Sequence, residues 1–242
     1  MKLQAIAIKQ KNISNIGRIT YAIKTIAIAH KKQMYNMYQT IQSSVHLLSY
    51  EVKKLKLDQL FGNVLHIVFA AEKKFCKDFL YKASQYISNI HYSDNDKFII
   101  FGKHGINSLK PVEQVSLKYS YNIEDAYVHA NNIMEYIKNG FTVKVHFFSI
   151  KHDEFISTTI IDKIPIILED EELVKLLVAY SILSSSIQSS LSENTSRAVA
   201  MSQASETCKT MQDQLKLFYN RMRQQKITLE MNEIIGGSGG QV

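Results

Sequence analysis

The chain has 242 residues, 45% of them hydrophobic, and a formal net charge of +7; that suffices for one large domain, or for a smaller domain with an extension, around a packed core. Two cysteines, Cys76 and Cys208, exclude a disulfide framework, have no metal-ligand spacing and read as small buried apolar residues of a reducing compartment. No apolar run is long enough to span a membrane, and Met1 to Lys11 has neither the apolar core nor the cleavage site of a signal peptide.

The positive charge is unevenly placed. Lys2, Lys9, Lys11, Arg18, Lys24, Lys31 and Lys32 precede the first acid, Glu51, so the N-terminal segment calls for an acidic partner. No Pro or Gly interrupts the stretch between Gly17 and Gly62. Ile13, Ile16, Thr20, Ile23, Ala27, His30, Met34, Met37 and Ile41 recur at steps of three and four, and Val45 and Leu48 extend them. This is a heptad seam on a long helix, with Thr20 and His30 as polar interruptions.

The period changes at about Phe61. Val64 to Ala70 is a β-branched run and predicts a buried strand. Lys77 to Ile90 reads as a helix, with Phe79, Leu80, Ala83, Tyr86, Ile87 and Ile90 on one side. Lys97 to Phe101 is a second strand, ended by Gly102. Asn122 leads into a helix from Ile123 to Asn139, stopped by Gly140. In Phe141 to Ile150, Val143, Val145 and Phe147 alternate with Thr142, Lys144 and His146, as in a strand. Phe155 to Ile167 is a last strand. Strands alternating with helices predict a small α/β domain with a parallel or mixed sheet.

Nothing in this middle assembles a catalytic, cofactor or metal site. Gly102-Lys103-His104-Gly105 is not in a phosphate-loop frame, and no dinucleotide-binding glycine pattern exists. His91, His104, His129, His146 and His152 are scattered, without a nucleophile elbow.

From about Asp170 to Ile235 there is again no Pro or Gly. A helix of that extent would be on the order of 95 Å long, far wider than a compact domain of this size. Glu169 to Glu172 form its acidic first turn, which suits the helix dipole. Leu173, Leu176, Tyr180, Leu183, Ile187, Leu191, Ala198, Met201, Ser205, Cys208, Leu215, Phe218 and Met222 make an imperfect second seam. The small Ser205 and Cys208 permit close helix approach there. Two long helices at opposite ends of a chain, each with one apolar stripe, pair most simply as an antiparallel coiled coil closed by the α/β middle.

Two stretches narrow the reading further. Near the C-terminus stand Ser192-Glu193, Arg197, Ala200-Met201 and Ala204, followed by Leu215, Tyr219-Asn220, Arg223-Gln224, Ile227-Thr228, Glu230 and Glu233-Ile234. Near the N-terminus stand Arg18-Ile19-Thr20, Ala22-Ile23 and Ile26-Ala27. In order and spacing these resemble the gamma subunits of F-type ATP synthases, the central rotor shaft. The resemblance spans the chain in architecture and about a third of it in sequence. It has departures. Ile23 replaces the usual Met, and Thr207 the usual Asn. Ala71-Glu72-Lys73-Lys74-Phe75-Cys76-Lys77 stands where the family carries Ser-Asp-Arg-Gly-Leu-Cys-Gly, keeping the Cys and losing both glycines. The middle also looks shorter than usual.

The resemblance implies an N-terminal coiled-coil helix over 1–60, a small Rossmann-like α/β domain over 61–167 and a C-terminal coiled-coil helix over 168–242. It implies a non-catalytic subunit without a cofactor, which couples rotation of the membrane ring to conformational change in the catalytic subunits of a proton-translocating ATP synthase. Implied partners are the alpha and beta subunits of the hexamer, the epsilon subunit and the membrane c-ring, with no nucleic acid and no membrane span. Implied contacts to the catalytic subunits are Ile23, Lys24, Arg223, Gln224, Thr228 and Glu230. Glu230 and Glu233 are alternatively solvated or paired with Lys226. Ile227, Leu229, Met231 and Ile234 would turn inside an apolar sleeve, and the tail from Gly236 would be flexible. The absence of an Arg-rich targeting peptide points to the cytoplasmic face of a bacterial inner membrane. The rival readings are an enzyme built on the α/β middle and a basic coiled coil that binds nucleic acid or anionic membrane.

Overall fold

The computed structural model describes residues 3–53, 57–59, 63–104, 114–161, 163–165 and 171–238. Among these residues four helices, α1 (Leu3–Lys53), α2 (Lys77–Ser88), α3 (Ile123–Lys138) and α4 (Glu171–Ser238), accompany seven strands. These are β1 (Leu57–Gln59), β2 (Val64–Phe69), β3 (Lys97–Phe101), β4 (Gln114–Leu117), β5 (Thr142–Ser149), β6 (Glu154–Ile161) and β7 (Lys163–Pro165). The chain divides into two compact units, Met1–Ile26 with Ala198–Val242, and Ala27–Arg197. The expected limits at 60/61 and 167/168 lie outside the described residues, as do Ile166 and Ile167.

The first unit is an antiparallel helix pair. Its α1 buries or half-buries Ile6, Gln10, Ile13, Gly17, Thr20 and Lys24, and its α4 does so at Met201, Ser205, Cys208, Gln212, Leu215, Tyr219 and Met222. Both sets step by three and four, the signature of a two-helix seam. The direction follows from contacts: Lys24 reaches Ser202, while Gly17 lies against Cys208 and Gln212.

The register differs from the expected one at two positions. Ile16 is 51% exposed and Gly17 takes its place; Phe218 is 42% exposed and Tyr219 takes its place. Picking the larger apolar residue at each step misleads where the helices come closest. A Cβ on Gly17 would lie 3.4 Å from Cys208 Cβ, so the missing side chain is what permits the approach. The small residues expected to thin the pair at Ser205 and Cys208 sit at this point.

The second unit is built on a five-stranded sheet of order β4-β3-β2-β5-β6. β2 pairs in parallel with β3 and β5, β3 with β4, and only the β5–β6 hairpin is antiparallel. β1 and β7 form a separate antiparallel ladder. Neither β1 nor β4 was expected, because each is too short to show a period. Leu65, Ile67, Phe69, Ile99, Phe101, Val143 and Val145 face one side and pack with Ala126, Ala130, Ile133 and Ile137 of α3, Val178 and Ile182 of α4, and Met34 of α1. The opposite face is covered by α2, through Phe79, Ala83 and Ile87. β5 therefore has no wet face: His146 and Phe148 are each 4% exposed. The alternating residue types reflect the two faces of the strand, and a sheet covered by helices on both sides buries its polar positions too.

Between Ser181 and Asn194, α4 is buried almost all round, where a single stripe was expected. Small hydroxyl residues make that possible. Ser186, Ser189 and Ser196 accept hydrogen bonds from the backbone N–H groups of Ser120, Phe148 and Phe79 at 3.2–3.3 Å. The serines let neighbouring elements come close and replace the water those buried amides have lost.

Candidate functional site

Four groups of side chains could carry function. The first two hold the positions named in the sequence. Ile23 is half-buried on α1. Lys24 is half-buried too, and its ammonium donates to Ser202 Oγ at 3.0 Å, so the helix pair itself occupies one of its three protons. Arg223, Gln224, Thr228 and Glu230 are exposed on α4. Thr228 donates back to the Gln224 carbonyl at 3.0 Å, and Lys226 bridges Glu230 at 3.3 Å, one turn on, with both side chains more than half exposed. Pairing with Lys226 is thus the observed state of Glu230. These residues fall into two separate groups. Lys24 is level with Ser202, and Arg223 lies roughly 30 Å further along α4 at the helical rise.

From Arg223 to Gly236 every residue of α4 is exposed. Ile227, Leu229, Met231, Ile234 and Ile235 are 48–72% exposed. Apolar side chains alternating with Arg223, Gln224 and Glu230 on an uncovered helix are a surface for partners. The helix runs on to Ser238, so Gly236 is helical rather than the start of a flexible tail; residues 239–242 lie outside the described ones.

The third group is a groove between the paired helices, missed in the sequence because no single motif forms it. Gly17, Arg18 and Tyr21 face Cys208, Lys209 and Gln212 around a cavity of about 410 Å³. Neither Arg18 nor Lys209 has an ion pair among the described residues.

The fourth is a buried clamp. Glu193 and Arg197, 2% and 6% exposed, are ion-paired one turn apart on α4. The carboxylate of Glu193 accepts from the backbone N–H groups of Glu72 and Lys73 at 2.9 and 3.0 Å. Arg197 Nε donates to the Lys74 carbonyl at 3.0 Å, and its Nη1 to Asn194 Oδ1 at 2.6 Å. Burial pushes the Glu193 carboxyl up from the usual glutamate value, and the amides of Glu72 and Lys73 together with the Arg197 guanidinium oppose that. Beneath the loop, burial raises the Cys76 thiol to about 12, so Cys76 stays an unreactive thiol, donating to the Lys73 carbonyl at 3.2 Å. Both residues of the clamp stand in the quoted C-terminal pattern, but nothing in a linear sequence says that they grip the loop after β2.

That loop is strained at one residue. Phe75 has φ +66 and is 60% exposed, one residue after a position where the resembling family carries glycine. Left-handed backbone costs a side-chain-bearing residue about 1–2 kcal/mol, and an exposed Phe loses little burial on removal. Phe75→Gly is therefore expected to stabilise the chain by about 0.5–1 kcal/mol after the entropy of glycine is subtracted; urea denaturation of the two proteins checks it.

A family model described as ATP synthase matches residues 2–239. The chain is 27% identical to the ATP synthase gamma chain of Ureaplasma urealyticum serovar 10, over 98% of this chain and 99% of that one. It is 23% identical to the gamma chain of Clostridium kluyveri, over 94% of both. This chain belongs to the ATP synthase gamma family. Its fold agrees with that of a chain in Euglena gracilis mitochondrial ATP synthase at TM-score 0.70 and 14% identity, covering 99% of this chain and 96% of that one. A chain in the rotor of the same synthase matches at TM-score 0.65 and 11% identity, over 93% and 98%. Mixed α/β architecture between long terminal helices is thus the gamma-family fold. Among the described residues no helix is long and apolar enough to cross a membrane.

Proposed function

We propose that this gamma-family chain is the central-stalk rotor subunit of an F-type, proton-translocating ATP synthase. It is non-catalytic: turning of the membrane ring turns the stalk, and the stalk's uneven sides change the conformation of each surrounding catalytic subunit. Physically, a shaft that binds the open, closed and empty conformers unequally shifts their equilibrium as it rotates. The exposed stretch of α4 from Arg223 to Gly236 carries this reading, because a helix end with five large apolar side chains uncovered within its own chain is built for an enclosing partner. The alpha and beta subunits of the hexamer are that partner, with the epsilon subunit and the c-ring at the other end. The segments 1–60, 61–167 and 168–242 serve as N-terminal helix, globular body and C-terminal helix. As a peripheral subunit it works at the cytoplasmic face of a bacterial inner membrane.

Ile23, Lys24, Arg223, Gln224, Thr228 and Glu230 are the residues proposed to meet catalytic subunits. Arg223 carries the strongest contact, since a guanidinium grips a carboxylate bidentately. Glu230 meets a partner only by leaving Lys226. In a reconstituted synthase, the pair of changes Arg223→Ala and Gln224→Ala is expected to leave assembly intact and lower ATP-driven rotation about 10–100-fold, the loss of one or two charge-assisted hydrogen bonds. Unchanged rotation with both residues removed rules out this contact.

A further inference from the structure

The buried face of the sheet under α2 holds a chain of polar groups that the stalk function does not use. His66 of β2 and His146 of β5 are 3% and 4% exposed. His66 Nδ1 and His146 Nε2 are 2.9 Å apart. On the other side of His146, Nδ1 is 3.1 Å from the Tyr86 hydroxyl of α2. On the other side of His66, Nε2 faces Asp96 Oδ2 at 3.5 Å and lacks a close partner. Asp96, in the turn before β3, is itself held by the N–H groups of Val64 at 2.7 Å and Ser93 at 2.9 Å.

With both rings neutral and Asp96 an ionised acceptor, one order of donation fits these distances. Tyr86 gives its hydroxyl proton to His146 Nδ1, His146 Nε2–H donates to His66 Nδ1, and His66 Nε2–H points at the Asp96 carboxylate. Each ring is neutral and carries its proton on Nε2. A second proton cannot enter without reversing the order. On His66 it goes to Nδ1 and sets two N–H groups against each other across 2.9 Å; His146 must then move its own proton to Nδ1, where Tyr86 was donating. On His146 it goes to Nδ1 directly, with the same result for Tyr86. Either way the polar link between α2 and the sheet has to be remade.

We propose that His66 and His146 form an acid-sensitive latch that holds α2 on the sheet near neutral pH and loosens it on acidification. The groups that face the rings are few: Tyr86 from α2, Asp96 from the turn before β3, Lys144 from β5, and Ser157 of β6, which bonds Tyr86. Asp96 favours a charged His66, whereas Lys144 opposes charge on both rings. Burial lowers both histidines, His146 to about 3 with help from His66 and Lys144. The sign follows. An unfolded or opened histidine takes its proton near pH 6.5, so the closed form is fully favoured above that value and loses ground steadily as pH falls towards the folded-state value. The latch belongs to the globular unit and stands independently of the rotor reading.

Hydrogen exchange of the full chain, read over residues 77–88 at pH 7.5 and pH 5.0 and corrected for intrinsic rates, tests this. The opening of α2 is expected to rise about thirtyfold at the lower pH for each ring that opening frees, and by much less in the non-titrating variant His66→Gln with His146→Gln. Equal rises in both proteins, or none in the unaltered chain, overturn the latch. Should the variant fail to fold, the unaltered chain decides by NMR. Both rings are expected to be neutral Nε2–H tautomers at pH 7.5, and their titration to move the α2 amide signals. A ring charged at pH 7.5, or α2 amides that stay still while the rings titrate, overturns it equally.

Discussion

Arg197→Ala is expected to destabilise the globular unit by about 3–5 kcal/mol, the cost of leaving one member of a buried ion pair uncompensated. Glu193 would keep the amides of Glu72 and Lys73 but lose its cation, at 2% exposure. The Lys74 carbonyl would lose the Arg197 Nε donor, and Asn194 Oδ1 its partner. Glu193→Gln should cost a comparable amount: one oxygen still accepts from the loop, but the amide nitrogen replacing the other is set against an N–H group, and Arg197 is left without its anion. Replacing both residues with apolar ones is no control, because the loop amides would then be orphaned. Urea denaturation of the full chain, followed by the near-ultraviolet signal of its tyrosines, measures both single variants. A loss under about 1 kcal/mol for Arg197→Ala would mean that water enters and replaces the guanidinium.

Gly102→Ala is the other large effect, expected to cost more than about 3 kcal/mol, strain and backbone collision together. Gly102 has φ +101, and a Cβ there would meet the Ala70 carbonyl oxygen at 2.5 Å and the Ala71 oxygen at 2.9 Å. Both obstacles are backbone and cannot swing aside. Both are also held in place: the Ala71 oxygen accepts from the N–H groups of Lys103 and His104 at 2.9 Å, and the Ala70 oxygen from the Tyr119 hydroxyl. Gly140→Ala is the internal control. Its φ is +87, but nothing lies within 4 Å of the added carbon, so only the backbone strain of about 1–2 kcal/mol applies. Thermal unfolding of the two variants separates strain from collision. Equal losses would show that the sheet end relaxes to admit the methyl.

The elements were legible wherever the period was long. The strand Lys97–Phe101 and the start of the helix at Ile123 agree with β3 and α3 to the residue, and Asn122 caps α3 by accepting from Asp125 N–H at 2.7 Å. The two long helices were read from the absence of Pro and Gly and from steps of three and four. What failed was the choice of residue within a step. Gly17 and Tyr219 displaced Ile16 and Phe218, since a seam selects for fit to the opposite helix and not for apolar volume. The candidate contacts Arg223, Gln224, Thr228 and Glu230 came from resemblance, and they stand on an exposed helix end. Glu193 and Arg197 were visible as residues and invisible as a clamp, because their partners are backbone groups more than a hundred residues away.

By itself the sequence determined that two long helices flank an α/β body, since periodicity and the placement of Pro and Gly are local properties of the chain. The tertiary structure alone decided which polar groups went inside. The serines of α4, the Glu193–Arg197 pair and the two histidines each look like surface residues in a string of letters. They are buried because another element lies across them, and they are tolerated there because that element brings the matching hydrogen-bond partner.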